Sequence, residues 1–213
     1  MAEASRQQRI LTKQEITALL TACTDKFDRM LIKTCLGHGL RNEETVTLQQ
    51  KHVNFGNTGV DIERENTKSP AGVRFVPTLN SLGDIPVQED FINWVNCRTE
   101  NPDDYVFPSP RTDSHISTKY FQDLMRDLAW ENGFYPQLDS KEEITEEVPE
   151  PKRVRPHALR HTYGTRMYEN GVPPKELSDT MGHKEMQTTM DLYAHLANEK
   201  NRDVLNEAAK NWD

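Results

Sequence analysis

Cysteine is scarce in this chain, and its spacing does not suit metal binding. The three cysteines, Cys23, Cys35 and Cys97, are far apart and odd in number. They predict reduced thiols inside a cell rather than a disulfide framework or a zinc site. The chain also lacks an apolar run long enough to span a bilayer and an N-terminal signal segment. We therefore expect a cytoplasmic protein that has no membrane partner.

Positive charge is in short supply as well. The chain carries 26 basic and 34 acidic residues, for a net charge of -8. This balance argues against a simple nucleic-acid binder, because contact with phosphates requires a basic surface. The acid is concentrated, however: residues 139–150 hold six acidic residues and one lysine, which predicts a solvated, mobile loop. Lys152, Arg153 and Arg155 follow at once and form a locally basic segment that could contact an anionic partner.

The spacing of apolar residues predicts a mainly α protein with a small three-stranded antiparallel sheet, an α+β class. Thr12 and Glu15 form a capping box that begins the first helix, and Ser117 is the expected N-cap of a later one. Val53 alternates with Phe55 in a first strand, and further alternating apolar residues with two turns predict the other strands within residues 52–77. The remaining helices are expected at about 25–36, 41–48, 87–98, 156–169, 173–181 and 188–192. Residues 1–10 should be disordered, 11–197 should form one domain, and 198–213 should form an amphipathic tail helix.

One stretch, residues 156–196, gathers the residues best suited to chemistry. It contains four of the seven histidines together with Arg160 and Tyr193. His157 and Arg160 are three positions apart, so on a helix they share one face. An arginine beside a histidine on one face is suited to binding an anion. Our hypothesis is that the anion is a DNA phosphate and that Tyr193 attacks it.

Cleavage of a phosphodiester without a metal requires cations directed at the phosphate oxygens. Arg41 and Arg160 could supply such a clamp from two separate helices. A tyrosine has a pKa of about 10 and needs a proton acceptor, which His157 could be. Lys68 in a hairpin turn could protonate the departing 5' oxygen, and His183 could donate a further hydrogen bond.

These residues lie in segments that resemble the catalytic domain of the tyrosine recombinase (phage integrase) family. The matching segments are Gly39-Leu-Arg41-Asn-Glu-Glu44, Lys68 followed by Arg74-Phe-Val-Pro77, His157-Ala-Leu-Arg160-His-Thr, Met181-Gly-His183 and Tyr193-Ala-His195. They occur in the family's order and cover nearly the whole chain. The resemblance implies an active site made of Arg41, Lys68, His157, Arg160, His183 and the nucleophile Tyr193, with Glu44 and His161 in supporting roles.

The resemblance also implies a reaction and its partners. A 3'-phosphotyrosine bond and a free 5' hydroxyl would form, and no metal or other cofactor would be needed. The partner would be double-stranded DNA with a specific target site, in the cytoplasm of a prokaryotic cell or of the host of a virus or mobile element. We expect a homo-oligomer, a tetramer on DNA, with a monomer possible in its absence.

Two features depart from the family pattern. Family members usually carry an N-terminal helical domain that contacts DNA, and this domain is expected to be absent here, so the chain is either a fragment or a minimal version. The acidic segment 139–150 resembles an insertion. The apolar face of the tail could pack within its own chain or on a neighbouring protomer, and both interpretations stay open.

Other functions remain in view. A zinc hydrolase using His157, His161 and His183 is disfavoured, because Ala158 follows His157 where an H-E-x-x-H site has glutamate. A DNA-binding regulator with the same fold could cut nothing, and a type IB topoisomerase-like enzyme could nick and close DNA without exchanging strands. Arg41 could also do no more than pair with Glu44.

Overall fold

The computed structural model describes residues 8–67 and 72–182. Its helices and strands confirm the predicted fold class, mostly helical with a small antiparallel sheet. The helices are α1 (Lys13–Ala22), α2 (Lys26–His38), α3 (Asn42–Val46), α4 (Gln88–Arg98), α5 (Thr118–Glu131), α6 (Glu143–Glu146), α7 (Pro156–Glu169) and α8 (Pro174–Met181). The strands are β1 (Val53–Asn54), β2 (Gly59–Ile62), β3 (Arg74–Pro77), β4 (Ser81–Leu82) and β5 (Ile85–Pro86).

Helix starts follow their local sequence signals. The Thr12 side chain accepts from the Glu15 N–H, and the Glu15 carboxylate accepts from the Thr12 N–H, so the predicted capping box is confirmed. Ser117 caps α5 as predicted, since its side chain accepts a hydrogen bond from the Tyr120 N–H at 3.0 Å. These caps satisfy backbone donors that the first turn of a helix leaves without partners.

The three-stranded sheet has the order β1-β2-β3, and both pairings are antiparallel. Val60 of β2 lies opposite Val53 of β1 and Val76 of β3, and all three side chains are buried. The prediction that Phe55 continues the first strand is wrong. The strand ends at Asn54, and Phe55 is 46% exposed at the start of the turn. The short hairpin of β4 and β5 was not predicted from the sequence.

Helix α2 lies at the centre of the domain, and its C-terminal end lies next to the candidate site. Every residue from Met30 to His38 is buried. The helix ends at Gly39, which adopts the left-handed conformation with φ of 63°. A Cβ at this position would lie 2.4 Å from the ring of Tyr163 on α7. Only glycine therefore combines this turn with close packing of the end of α2 against α7.

The acidic segment 139–150 is not the purely solvated loop that its charge predicts. It contains α6, and Ile144 and Val148 are 2% and 8% exposed within the hydrophobic core. Arg153 donates hydrogen bonds to the carbonyl oxygens of Val148 at 2.8 Å and Thr145 at 2.6 Å. Two apolar residues four positions apart thus anchor the segment, while its carboxylates stay near solvent.

Across the two described ranges, no helix combines the length and apolar character that crossing a bilayer requires.

Ile144→Ala should lower the free energy of unfolding by about 2–5 kcal/mol, because it removes buried methyl groups from a packed site. Urea unfolding followed by circular dichroism measures the change. Glu146→Ala in the same short helix is the matched control. The Glu146 side chain is exposed, so the urea midpoint of this variant should hardly change. An unchanged midpoint for Ile144→Ala would show that the segment does not stabilise the core.

Candidate active site

Arg41 and Arg160 meet at the C-terminal end of α8. Arg41 directly precedes α3, and its Nη2 donates to the carbonyl oxygen of Gly182 at 2.6 Å. Arg160 lies on α7, and it donates to the carbonyl oxygens of Met181 and, at 2.7 Å, Gly39. The two arginines come from distant parts of the sequence, yet both bind one turn. The structure thus brings together the two cations that the sequence predicts to form a phosphate clamp.

The two arginines differ in their exposure to solvent. The Arg160 residue is 2% exposed, whereas 35% of the Arg41 side chain is accessible. Burial, followed by repulsion from Arg41, lowers the pKa of Arg160 to about 9, so the group is still charged at neutral pH. Arg160 is therefore a fixed positive charge beneath the surface, and Arg41 is the more accessible of the two cations.

Glu44 is a buried carboxylate that holds this site together. Its Oε1 accepts from Arg41 Nη1 at 2.7 Å, and its Oε2 accepts from the Arg41 N–H at 2.9 Å. Arg74 of β3 donates to both carboxylate oxygens at 3.0 Å. Burial opposes ionisation of Glu44, but the hydrogen bonds and charge of Arg74 outweigh it and lower the pKa of the carboxyl to about 2. Glu44 is thus ionised at any physiological pH.

Arg74 was not assigned to the site from the sequence, although it stood in a matched segment. Its side chain is 6% exposed, and its Nε donates to the Thr180 carbonyl oxygen at 2.6 Å. A signal was available, because Arg74 and Val76 are two positions apart on a strand and therefore point to the same, inner face. An arginine on the buried face of a strand requires an anionic partner.

His157 and His161 form a pair on α7. Their Nε2 atoms are 2.8 Å apart and their rings are perpendicular, so one ring donates the hydrogen and the other accepts it. His161 is buried, and His157 faces solvent. The ring of His157 is thus a side-chain hydrogen-bond partner of His161. A shared hydrogen of this kind fixes the orientation of both rings.

The protonation state of His157 follows from its neighbours. Desolvation, followed by the positive charges of Arg160, Arg155 and Arg41, lowers its pKa to about 4. The ring therefore becomes charged only as the pH falls towards 4, and it is neutral at pH 7. A neutral imidazole can accept a proton, as the role of general base requires.

The three basic residues ahead of α7 have different surroundings. The Arg153 guanidinium is engaged by the Val148 and Thr145 carbonyl oxygens, as described above. Arg155 pairs with Glu150 at 2.8 Å and lies close enough to His157 to lower the pKa of its ring. Lys152 ends a short 3-10 turn. Contact of these three residues with DNA stays a prediction, and Arg155 is the one that adjoins the histidine pair.

Several predicted residues fall outside the described ranges. Lys68, His183 and Tyr193 are among them, as are the helix expected at 188–192 and the tail 198–213. Their described neighbours border the site. Gly72, four positions after Lys68, has a carbonyl oxygen that accepts from Arg74 at 2.7 Å, and the carbonyl oxygen of Gly182, which precedes His183, accepts from Arg41.

A metal centre is not favoured by the histidines that the structure describes. Within residues 8–67 and 72–182, the group with suitable proximity is His52, Glu63 and Glu65. His52 Nδ1 accepts from the Gln49 N–H at 3.0 Å, so its Nε2 carries the hydrogen that points to Glu65 at 3.1 Å. Lys51 also pairs with Glu65. These contacts describe a histidine with hydrogen-bond partners at both ring nitrogens rather than a ligand set.

The model of the phage integrase family matches residues 9–200, nearly the whole chain. The chain belongs to the phage integrase family. The resemblance inferred from the sequence motifs is thereby confirmed.

Curated relatives of this family member are tyrosine recombinases. One from Pseudothermotoga lettingae is 26% identical over 197 residues, and the match covers 92% of this chain and 59% of the relative. Tyrosine recombinase XerS of Lactococcus lactis subsp. cremoris is 28% identical over 182 residues, covering 84% of this chain and 44% of the relative. The chain therefore spans between 44% and 59% of the length of these two relatives.

Solved structures show the same fold. The XerA recombinase superposes with a TM-score of 0.69 at 20% identity, covering 95% of this integrase-family chain and 65% of that one. The Tn1549 transposon integrase, solved in complex with transposon right-end DNA, gives a TM-score of 0.69 at 22% identity, covering 95% and 66%. The architecture of this chain is that of a tyrosine recombinase catalytic domain.

Arg155→Gln should raise the pKa of His157 in this family member, because it removes a nearby positive charge and releases the Glu150 carboxylate. An NMR titration of the His157 Cε1–H resonance measures the change. Arg166→Gln is the control, since Arg166 lies on the same helix but pairs with Glu169. A His157 pKa that is equal in the Arg155→Gln variant and the parent protein would contradict the electrostatic explanation.

Proposed function

We propose that this chain is the catalytic part of a site-specific DNA recombinase that cleaves and rejoins strands through Tyr193. The observation that carries the proposal is the meeting of Arg41 and Arg160 at one turn, with a neutral histidine on the same helix as Arg160. Two guanidinium groups from separate elements suit the non-bridging oxygens of a phosphodiester. The relatives named as tyrosine recombinases support the same chemistry.

In the proposed reaction, the Tyr193 oxygen attacks the phosphorus of one strand. The bond from phosphorus to the 5' oxygen breaks, and the 3' phosphate remains on the tyrosine as a diester. His157 takes up the tyrosine proton, and Lys68 donates a proton to the departing 5' oxygen. Arg41, Arg160 and His183 stabilise the charge that builds on the phosphate oxygens.

The second half of the reaction reverses the first. A 5' hydroxyl from a partner strand attacks the phosphotyrosine and gives its proton to Lys68, and Tyr193 leaves with a proton returned by His157. The number of phosphodiester bonds is unchanged, so the exchange consumes no nucleotide. Lys152, Arg153 and Arg155 are proposed to contact the DNA backbone, and the working form is proposed to be a tetramer on double-stranded DNA. Solved complexes of the XerH recombinase with its difH substrate support a DNA partner.

Tyr193→Phe should abolish covalent attachment to DNA, because it removes the attacking oxygen. A suicide substrate with a nick near the cleavage point traps the adduct, which denaturing gel electrophoresis then displays. Tyr120→Phe is the matched control, since Tyr120 is 42% exposed and hydrogen-bonds to Asp28 outside the site. An adduct that persists in Tyr193→Phe would refute the assignment of Tyr193 as the nucleophile. A parent protein that binds DNA but forms no covalent adduct would favour the DNA-binding regulator instead.

Arg41→Ala should slow cleavage of the same substrate by roughly 10²–10³-fold, since a donor to the developing oxyanion is lost. Arg41 is preferred for this test because its side chain is 35% accessible and its loss leaves the buried Arg74–Glu44 pair in place. Arg64→Ala, in the turn after β2, changes the net charge equally and serves as the control. Cleavage by Arg41→Ala at the parental rate would refute the clamp.

A further inference from the structure

Three arginines bind three consecutive carbonyl oxygens at the end of α8. Arg74 donates to Thr180, Arg160 to Met181 and Arg41 to Gly182. The last carbonyl groups of a helix have no partners within the helix and carry its negative dipole end. One turn therefore orients both arginines that are proposed to bind phosphate, and a third arginine binds the same turn.

Arg74 itself is fully engaged inside the protein. Its guanidinium donates to both oxygens of Glu44, to the carbonyl oxygen of Gly72 and to that of Thr180. With four hydrogen bonds and a side chain that is 6% exposed, it has little capacity left for a ligand. Arg74 thus differs from Arg41, whose side chain is accessible. Arg74 can therefore affect a bound ligand mainly through the other residues of the site.

The shape of the turn depends on Arg74 as well. Gly182 has φ of 64°, and a Cβ there would lie 2.9 Å from Arg74 Nη1. The guanidinium therefore packs directly against the backbone at the point where α8 ends. The carbonyl oxygens of Met181 and Gly182, which orient Arg160 and Arg41, lie in this turn.

Charge provides a second link between Arg74 and Arg41. Glu44 receives two hydrogen bonds from the Arg74 guanidinium and one from that of Arg41. If Arg74 were absent, Arg41 would be the nearer cation left to compensate the buried carboxylate. Arg41 already donates to Glu44 at 2.7 Å, and without Arg74 more of its charge would be needed to compensate the carboxylate and less would be available to a phosphate, because an uncompensated buried charge is costly.

From these contacts we infer that Arg74 is a positioning residue for phosphate binding and cleavage. It compensates Glu44 so that Arg41 keeps its charge available, and it fixes the turn of α8 that orients Arg41 and Arg160. This inference rests on the proposed function for its cleavage readout only. Its anion-binding readout is independent of the nucleophile.

The first experiment compares single-turnover cleavage of the suicide substrate at saturating protein, below the melting temperature of every variant. Arg74→Lys keeps the charge but cannot reach Glu44 and Thr180 together, and it should slow cleavage roughly 10- to 100-fold. DNA affinity, measured in a Tyr193→Phe background, should change little. Arg74→Met should cleave more slowly still. Adding Glu44→Gln to Arg74→Met should partly restore the rate, because a neutral amide then replaces the carboxylate that competes for Arg41.

Arg29→Lys is the matched control. Arg29 also donates to carbonyl oxygens at a helix end, those of Leu20 in the last turn of α1 and Cys23 just after it, but it lies outside the site. It should lose comparable capping contacts and cleave at the parental rate. Parental cleavage by Arg74→Lys would overturn the inference. So would a rate loss that disappears at lower temperature, because that pattern indicates a role in stability alone.

The second experiment titrates inorganic phosphate and follows the Arg41 Nε–H resonance by NMR. Arg74→Met should weaken phosphate binding by roughly 10-fold relative to the parent, the worth of one charge-assisted hydrogen bond. Equal affinity in both proteins would overturn the inference even if the parent forms no covalent adduct. Failure of the proposed function shows in the parental adduct assay instead, so the two failures are distinguishable.

Discussion

A single buried carboxylate connects the parts of this site. Glu44 is 1% exposed and binds Arg41 at the start of α3 and Arg74 on β3. Those arginines, together with Arg160 of α7, bind the end of α8. Four elements therefore meet around one negative charge. Breaking a buried ion pair by removing one partner costs about 3–5 kcal/mol, so the arrangement favours one relative position of these elements over others.

The local charge of the site is opposite to that of the chain. The protein carries a net charge of -8, yet three arginines surround the single carboxylate of Glu44. The excess positive charge has two consequences: it leaves Arg41 able to attract an anion, and it contributes to keeping His157 neutral at pH 7. One cluster thus contains both the proposed phosphate clamp and the proposed proton acceptor, and its local positive charge does not follow from the total charge of the chain.

Sequence patterns misled where one signal concealed another. The density of carboxylates in residues 139–150 predicts a solvated loop, but Ile144 and Val148 recur at the spacing of a helical face and are buried. Arg153, one of the basic residues predicted to contact DNA, donates to one carbonyl oxygen within α6 and to another that follows it, and its contact with DNA stays a prediction. Charge in a sequence shows which groups are present. It does not show which partners these groups bind in the folded protein.

The sequence by itself determined the helix starts at Thr12 and Ser117, the presence of a small antiparallel sheet, and the family through motifs in register. Each of these depends on residues near one another in the chain or on a preserved order. Only the tertiary structure decided that Arg41 binds Gly182, 141 positions away, and that Arg74 shares Glu44. The physical reason is that most acceptors around these arginines are backbone carbonyl oxygens, which every residue type carries. Such a partner leaves no signature in the sequence, and folding alone selects it.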